Sequence, residues 1–186
     1  MITLKNITLS ELYQLEPETL ELYLYAIEYS KPFLIAIDHL GIGDILDLPF
    51  GTVKEIQQVY ESDGFEFNDW IVKLCEILKV ESLGNKKLIH VCNSIKYLIK
   101  GIEQIITLER ENLGHTPDAN EEEADLSDLA KMGVFLQIDS LAKGDITKHE
   151  RIKSLPYSKC FAKLLADKYN AEYSKRYQNI LTKKRN

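Results

Sequence analysis

Leu88, Val91, Ile95, Leu98, Ile102, Ile105 and Leu108 follow one another in steps of three or four, and no other stretch of the chain is as regular. Only an α-helix puts residues so spaced on one side. Ile89, Cys92, Ile99 and Ile106 widen the stripe beyond the narrow seam of a two-stranded coiled coil. The spacing therefore predicts one long helix over 86–111, about 39 Å at 1.5 Å per residue, lying centrally and contacted on more than one side. A chain containing such an element must supply shorter helices to cover it.

Those helices are legible from their punctuation. Pro17 suits a first helical position, with Glu18 and Glu21 where the helix dipole favours carboxylates. Leu20, Leu24 and Ile27, with Tyr23 beside them, form one face until Ser30-Lys31-Pro32 interrupts it. Phe33 to Ile37 has the β-propensity of a short strand, but no partner strand is evident, and a buried helical turn is expected. Pro49 opens a helix carrying Val53, Ile56 and Tyr60, closed by Ser62-Asp63-Gly64. Asn68 or Asp69 caps the next, with Trp70, Ile71, Leu74, Cys75 and Leu78 as its stripe, until Gly84-Asn85 breaks it. The segment 112–125 holds Gly114, Pro117 and Glu121-Glu122-Glu123, and reads as an acidic loop. Ser127 caps a helix with Leu129, Met132, Phe135 and Leu136 that ends near Gly144. Thr147-Lys148-His149-Glu150 has capping-box spacing. Pro156 opens a last helix carrying Phe161, Leu164, Leu165, Tyr169, Tyr173, Tyr177 and Ile180. The expectation is an all-α protein, a compact bundle of about seven to nine helices in one domain over 1–186.

Within this pattern one phrase occurs twice. Ile37-Asp38-His39-Leu40-Gly41-Ile42-Gly43-Asp44-Ile45 matches Ile138-Asp139-Ser140-Leu141-Ala142-Lys143-Gly144-Asp145-Ile146 at six of nine positions, and each copy leads to Leu-Pro-aromatic, Leu48-Pro49-Phe50 and Leu155-Pro156-Tyr157. Self-similarity of this kind suggests a duplicated helical hairpin, one half over about 8–84 and the other over about 126–182. In physical terms Gly43 and Gly144 permit a left-handed residue that ends a helix, Asp44 and Asp145 cap the next turn, and Pro49 and Pro156 seed a new helix with an aromatic plug behind it. Helix–turn–helix punctuation is the simplest use of these corners; a docking surface displayed twice is the alternative.

Composition narrows function by exclusion. The longest uncharged apolar stretches, such as Pro32 to Ile37, are far below the ~20 residues of a membrane span. No basic segment leads into an apolar one at the N-terminus, so no signal peptide is expected. Cys75, Cys92 and Cys160 are odd in number and widely spaced, which suits reduced thiols in a cytoplasmic protein. His39, His90, His115 and His149 lie in separate segments with no cysteine pair nearby, so no metal site is expected. There is no Gly-x-Ser-x-Gly turn and no phosphate-binding loop, and Gly41-Ile42-Gly43 lacks the third glycine of a dinucleotide fold. Duplicated Asp38, Asp44, Asp139 and Asp145 could hold magnesium, but capping accounts for them. No catalytic residue, cofactor or metal is expected, and the chain reads as no enzyme.

What remains is surface. The net charge of −6 is unevenly laid out: eight acidic residues against one arginine over Glu109 to Asp128, and five basic residues without an acid over Lys175 to Arg185. The overall sign argues against non-specific nucleic-acid binding, although the basic terminus could meet a phosphate or an acidic partner. Tyrosine combines contact area with a polar tip, as protein interfaces favour. Tyr157, Phe161, Tyr169, Tyr173 and Tyr177, with Lys175 and Arg176, therefore mark the C-terminal helix as the candidate partner-binding surface.

At the second copy the sequence Gly144-Asp145-Ile146-Thr147-Lys148, then Leu155-Pro156-Tyr157-Ser158-x-x-Phe161-x-x-Leu164, then Tyr173-Ser174-Lys175-Arg176-Tyr177, resembles small virion-assembly proteins of tailed bacteriophages. Tail-assembly chaperones are the nearest type. The resemblance extends more weakly over Leu48 to Tyr60, and the acidic loop has no counterpart in it. It implies a non-enzymatic helical protein that covers a virion or tail component during assembly in the host cytoplasm, with a tendency to self-associate. A permanent connector, neck or tail subunit of the virion, or a nucleic-acid-binding regulator using the basic terminus, are the alternatives.

Overall fold

In the computed structural model, residues 6–62, 66–78, 83–114 and 132–185 are described. Among them are eight α-helices and no strand: α1 Leu9–Tyr13, α2 Pro17–Ser30, α3 Phe50–Glu61, α4 Phe67–Leu78, α5 Leu88–Leu113, α6 Gly133–Ala142, α7 His149–Lys153 and α8 Tyr157–Arg185. The expected all-α class is observed. The acidic loop, apart from Asn112 to Gly114, and the Ser127 cap lie outside the described residues. The chain divides into two compact units, one of residues 1–45 and 55–104, the other of 46–54 and 105–186. Helices α3 and α5 each give residues to both.

Both units start a pair of helices in the same way. In the first, Thr8 and Lys87 form an isolated antiparallel bridge: Leu9 N–H donates to the Lys86 carbonyl at 3.1 Å, and Leu88 N–H to the Ile7 carbonyl at 2.9 Å. In the second, Pro49 and Pro156 form the bridge, with Phe50 N–H donating to Leu155 O at 2.8 Å and Tyr157 N–H to Leu48 O at 2.9 Å. Proline fits here because the exchange uses the amide after the bridging residue and the carbonyl before it, so the missing N–H is not needed. Each bridge thereby satisfies one of the orphan amides at the start of each of its two helices. The two Leu-Pro-aromatic signals are thus mutual partners, and their rings, Phe50 and Tyr157, stack at 5.9 Å with both side chains fully buried.

The glycine corners agree in part. Gly43 and Gly144 both take positive φ (80° and 75°), and Ile45 and Ile146 both begin a 3₁₀ turn. Asp145 caps its turn, its Oδ1 accepting from Thr147 N–H at 3.1 Å. Upstream the copies differ. Ile138 to Ala142 closes helix α6, with Lys143 and then Gly144 left-handed, whereas Ile37 to Gly43 is irregular. There the Asp38 carboxylate accepts from the amides of Leu40, Ile42 and Gly43 at 3.2, 2.9 and 2.8 Å, wrapping the turn around itself.

Three local expectations are corrected. Phe33 to Ile37 is not a buried helical turn: only Lys31–Phe33 is 3₁₀, the chain then runs without regular structure, and Phe33, Ile35 and Ile37 are exposed. The reason lies in α5, whose buried Asn93 and Ser94 accept from the amides of Ile35 and His39 at 3.2 and 3.0 Å, while Tyr97 Oη donates to Gly43 O. Polar side chains far along the chain replace the local hydrogen bonds a helix would have used. Thr147 does not form a capping box with Glu150; its hydroxyl donates to Asp145, and Glu150 pairs with Lys153. The cap on α4 is shifted too: the helix begins at Phe67, and Asp69 accepts from Glu66 N–H at 3.0 Å from inside the first turn.

Replacing Phe50 by alanine removes one of the two stacked, fully buried rings and is expected to cost about 3–5 kcal/mol, read from denaturant midpoints. Gly144→Ala forces a Cβ into a left-handed residue and is expected to cost about 1–2 kcal/mol, while Gly133→Ala, at a helix start where a Cβ meets nothing, is expected to hold or slightly raise the midpoint.

Candidate functional site

The predicted C-terminal surface divides where α8 stops packing. Tyr157 and Cys160 are buried, and Phe161, Leu164 and Leu165 are half-buried. From Tyr169 to Ile180 every side chain is exposed. Tyr157 therefore does not belong to the exposed face: its ring is a core residue, and Phe161 lies at the margin, stacked on it at 5.9 Å. Tyr169, Tyr173, Tyr177 and Ile180 follow in steps of four, four and three along one side of the helix, Tyr173 63% exposed and stacked on Tyr177 at 6.2 Å. Arg176, Lys183 and Lys184 flank that line, and Lys175 stands off it. Most of a helix's stability in a protein comes from tertiary packing. This one receives local support from the i, i+4 pairs Lys163–Asp167 and Lys168–Glu172, and at its base Lys168 donates to the carbonyls of Asn112 and Gly114 at 3.0 and 2.8 Å.

A second exposed stripe lies on the first unit and was not singled out from sequence. Helix α2 turns Ile27 fully inward, with Leu20, Leu24 and Tyr23 half-buried. On its other side Leu22, Tyr25 and Tyr29 are exposed, Tyr25 by 71% and Tyr29 by 72%, and Phe33 just beyond the helix by 78%. The signal was present: 22, 25 and 29 are spaced by three and four, offset from the inward set, so the helix is apolar on two sides. Glu18, Glu21 and Glu28 border this outer stripe, Glu28 pairing with Lys31 at 2.5 Å.

A charged cluster lies in the interior of the second unit. Lys54 Nζ donates to both Glu109 oxygens at 2.6 and 2.8 Å and lies over the Phe50 and Tyr157 rings, 5.5 and 6.0 Å from their centroids. Tyr157 Oη donates to Glu109 Oε1 at 2.6 Å, and burial together with that carboxylate pushes the phenol far up. The ammonium is thus neutralised by a bidentate carboxylate and by two aromatic faces. These groups satisfy one another's charge and hydrogen bonding.

In the first unit a cavity of about 220 Å³ is lined by Ile27, Leu34, Phe67, Trp70, Ile95 and Ile99, with Cys92 at its wall and the stems of Lys31 and Lys96 at its edge. Burial pushes the Cys92 thiol up to about 12, which leaves it a thiol rather than a nucleophile near neutral pH. His39 and His90 stack at 4.5 Å with nearly parallel planes, so their in-plane nitrogen lone pairs cannot converge on one ion. His149 Nε2 lies 3.2 Å from Asp139 Oδ1. Among the described residues no three His, Cys, Asp or Glu side chains gather as a metal set, and no helix is long and apolar enough to cross a membrane.

Glu109→Ala strands a buried ammonium and is expected to cost about 3–5 kcal/mol, whereas Lys54→Met, Glu109→Leu and Tyr157→Phe together, which leave no polar member of the cluster unpaired, are expected to stay within about 1 kcal/mol of the parent in the same denaturant titration. Because the folded-state value of Cys92 lies above its unfolded value near 9, its contribution to stability is complete below pH 9 and is lost as pH rises towards 12. Alkylation at pH 8 is accordingly expected at half-exposed Cys75 first, with Cys92 and buried Cys160 modified only on unfolding, read by peptide mass spectrometry.

Comparison with protein-family models, with characterised proteins and with solved structures found no match for this chain.

Proposed function

We propose that the protein is a non-enzymatic, protein-binding assembly factor that acts through the outer part of α8. The observation that supports this reading is the run from Tyr169 to Ile180, a tyrosine stripe with a basic flank in which every side chain is exposed. Tyrosine and arginine on a rigid helix are the residue types that carry binding energy in helix-mediated recognition, because they desolvate large areas with few rotatable bonds. The occupied Lys54–Glu109–Tyr157 cluster and the raised Cys92 thiol offer no reactive centre that would favour turnover. Taken with the resemblance of residues 144–177 to tail-assembly chaperones, the reading is a factor that covers an apolar helical segment of a tail or other virion component of a tailed bacteriophage during assembly.

Removing residues 174–186 deletes Tyr177, Ile180 and the basic flank but leaves every buried residue of the described core in place. Loss of partner capture from infected cells, with helicity reduced only by the deleted turns in circular dichroism, is expected. Capture undiminished by the deletion would remove α8 as the binding surface. Mass spectrometry of purified particles separates the transient factor, which leaves no peptides there, from a permanent virion subunit.

A further inference from the structure

The two exposed stripes complement each other in spacing and charge. That on α2 is Leu22, Tyr25, Tyr29 and Phe33, bordered by Glu18, Glu21 and Glu28; that on α8 is Tyr169, Tyr173, Tyr177 and Ile180, bordered by Arg176, Lys183 and Lys184. Both run in steps of three and four, the spacing that lets one helix seat its ridge in another's groove. Each lies on a helix of three turns or more. Both faces are apolar at the centre and charged at the edge, with opposite signs.

We infer that the α2 face is a docking site for the α8 stripe of a second copy of this chain. An aromatic side chain carries about 150–250 Å², so three or four of them, half to three-quarters exposed, bring roughly 300–500 Å² per partner. That is below the ~800 Å² per partner of a standard stable interface, so the contact is weak and concentration-dependent. The contact is heterologous, one copy's α2 meeting the other's α8, and it either closes into a reciprocal twofold pair or a ring or propagates into a chain. The inference rests on α8 being the recognition surface. It adds that in the free protein this surface is covered by the α2 of another copy, which an incoming partner must displace.

Sedimentation velocity on the full chain across the micromolar range tests it, with circular dichroism to verify folding of each variant. Concentration-dependent association is expected for the parent, and a monomer throughout overturns the inference. Tyr25→Ser with Tyr29→Ser alters two exposed side chains and is expected to weaken association at least tenfold; unchanged association also overturns it. Glu21→Lys with Glu28→Lys, and separately Arg176→Glu with Lys183→Glu, are each expected to weaken association, while all four together restore it. Failure of the combined variant to recover excludes this pairing of faces. These outcomes are distinct from those for the proposed function: the α2 variants should retain partner capture, whereas capture that survives loss of residues 174–186 strikes at the role of α8 itself.

Discussion

The exchange of two backbone hydrogen bonds between Leu48-Pro49-Phe50 and Leu155-Pro156-Tyr157 organises the second unit. It joins segments far apart in sequence, and it does so at the one place where a helix start leaves amides unpaired. Once Phe50 N–H and Tyr157 N–H are bound to each other's upstream carbonyls, the two rings are held face to face. The Lys54 ammonium is then held above both rings, and Tyr157 Oη points at the carboxylate that neutralises it. A buried lysine without those partners would be a large destabilising term; with them it specifies which helices adjoin. Thr8 and Lys87 repeat the exchange in the first unit without proline, which shows that the geometry belongs to the backbone and that proline is merely compatible with it.

Surface and interior divide the chemistry of this protein cleanly. In the described interior Lys54 and Glu109 occupy each other, and burial keeps Cys92 a thiol. Among the exposed large side chains, aromatic ones stand in rows along helices: Tyr25 and Tyr29 on α2, Tyr173 and Tyr177 on α8. Exposed large apolar side chains scattered singly need no explanation, but rows at helical spacing do. Opposite charges along the two rows add a reason why one would recognise the other rather than itself.

Helix positions were largely written in the chain because periodicity, proline and glycine act locally. Pro17, Pro49 and Pro156 stand at or just before observed helix starts, and the broad stripe from Leu88 onward became a helix buried on more than one side. The glycine corners were legible for the same reason, since Gly43 and Gly144 need only their own backbone freedom to turn. The tyrosine and basic residues of α8 could be named, but their exposure could not. Tyr157 and Tyr173 share a helix and a residue type, yet only the first is covered.

Partnership was decided by the folded molecule. No window of sequence says that Leu48-Pro49-Phe50 lies against Leu155-Pro156-Tyr157, or that Asn93 and Ser94 hold the amides of Ile35 and His39 and so keep that segment from coiling. Nor does composition separate the inward from the outward apolar face of α2, because Tyr23 and Tyr25 are the same residue type and differ only in which side a neighbour occupies. Local backbone preferences are determined residue by residue. Which amide finds which carbonyl, and which ring is left in water, depends on contacts whose closure entropy is overcome only when the whole core assembles.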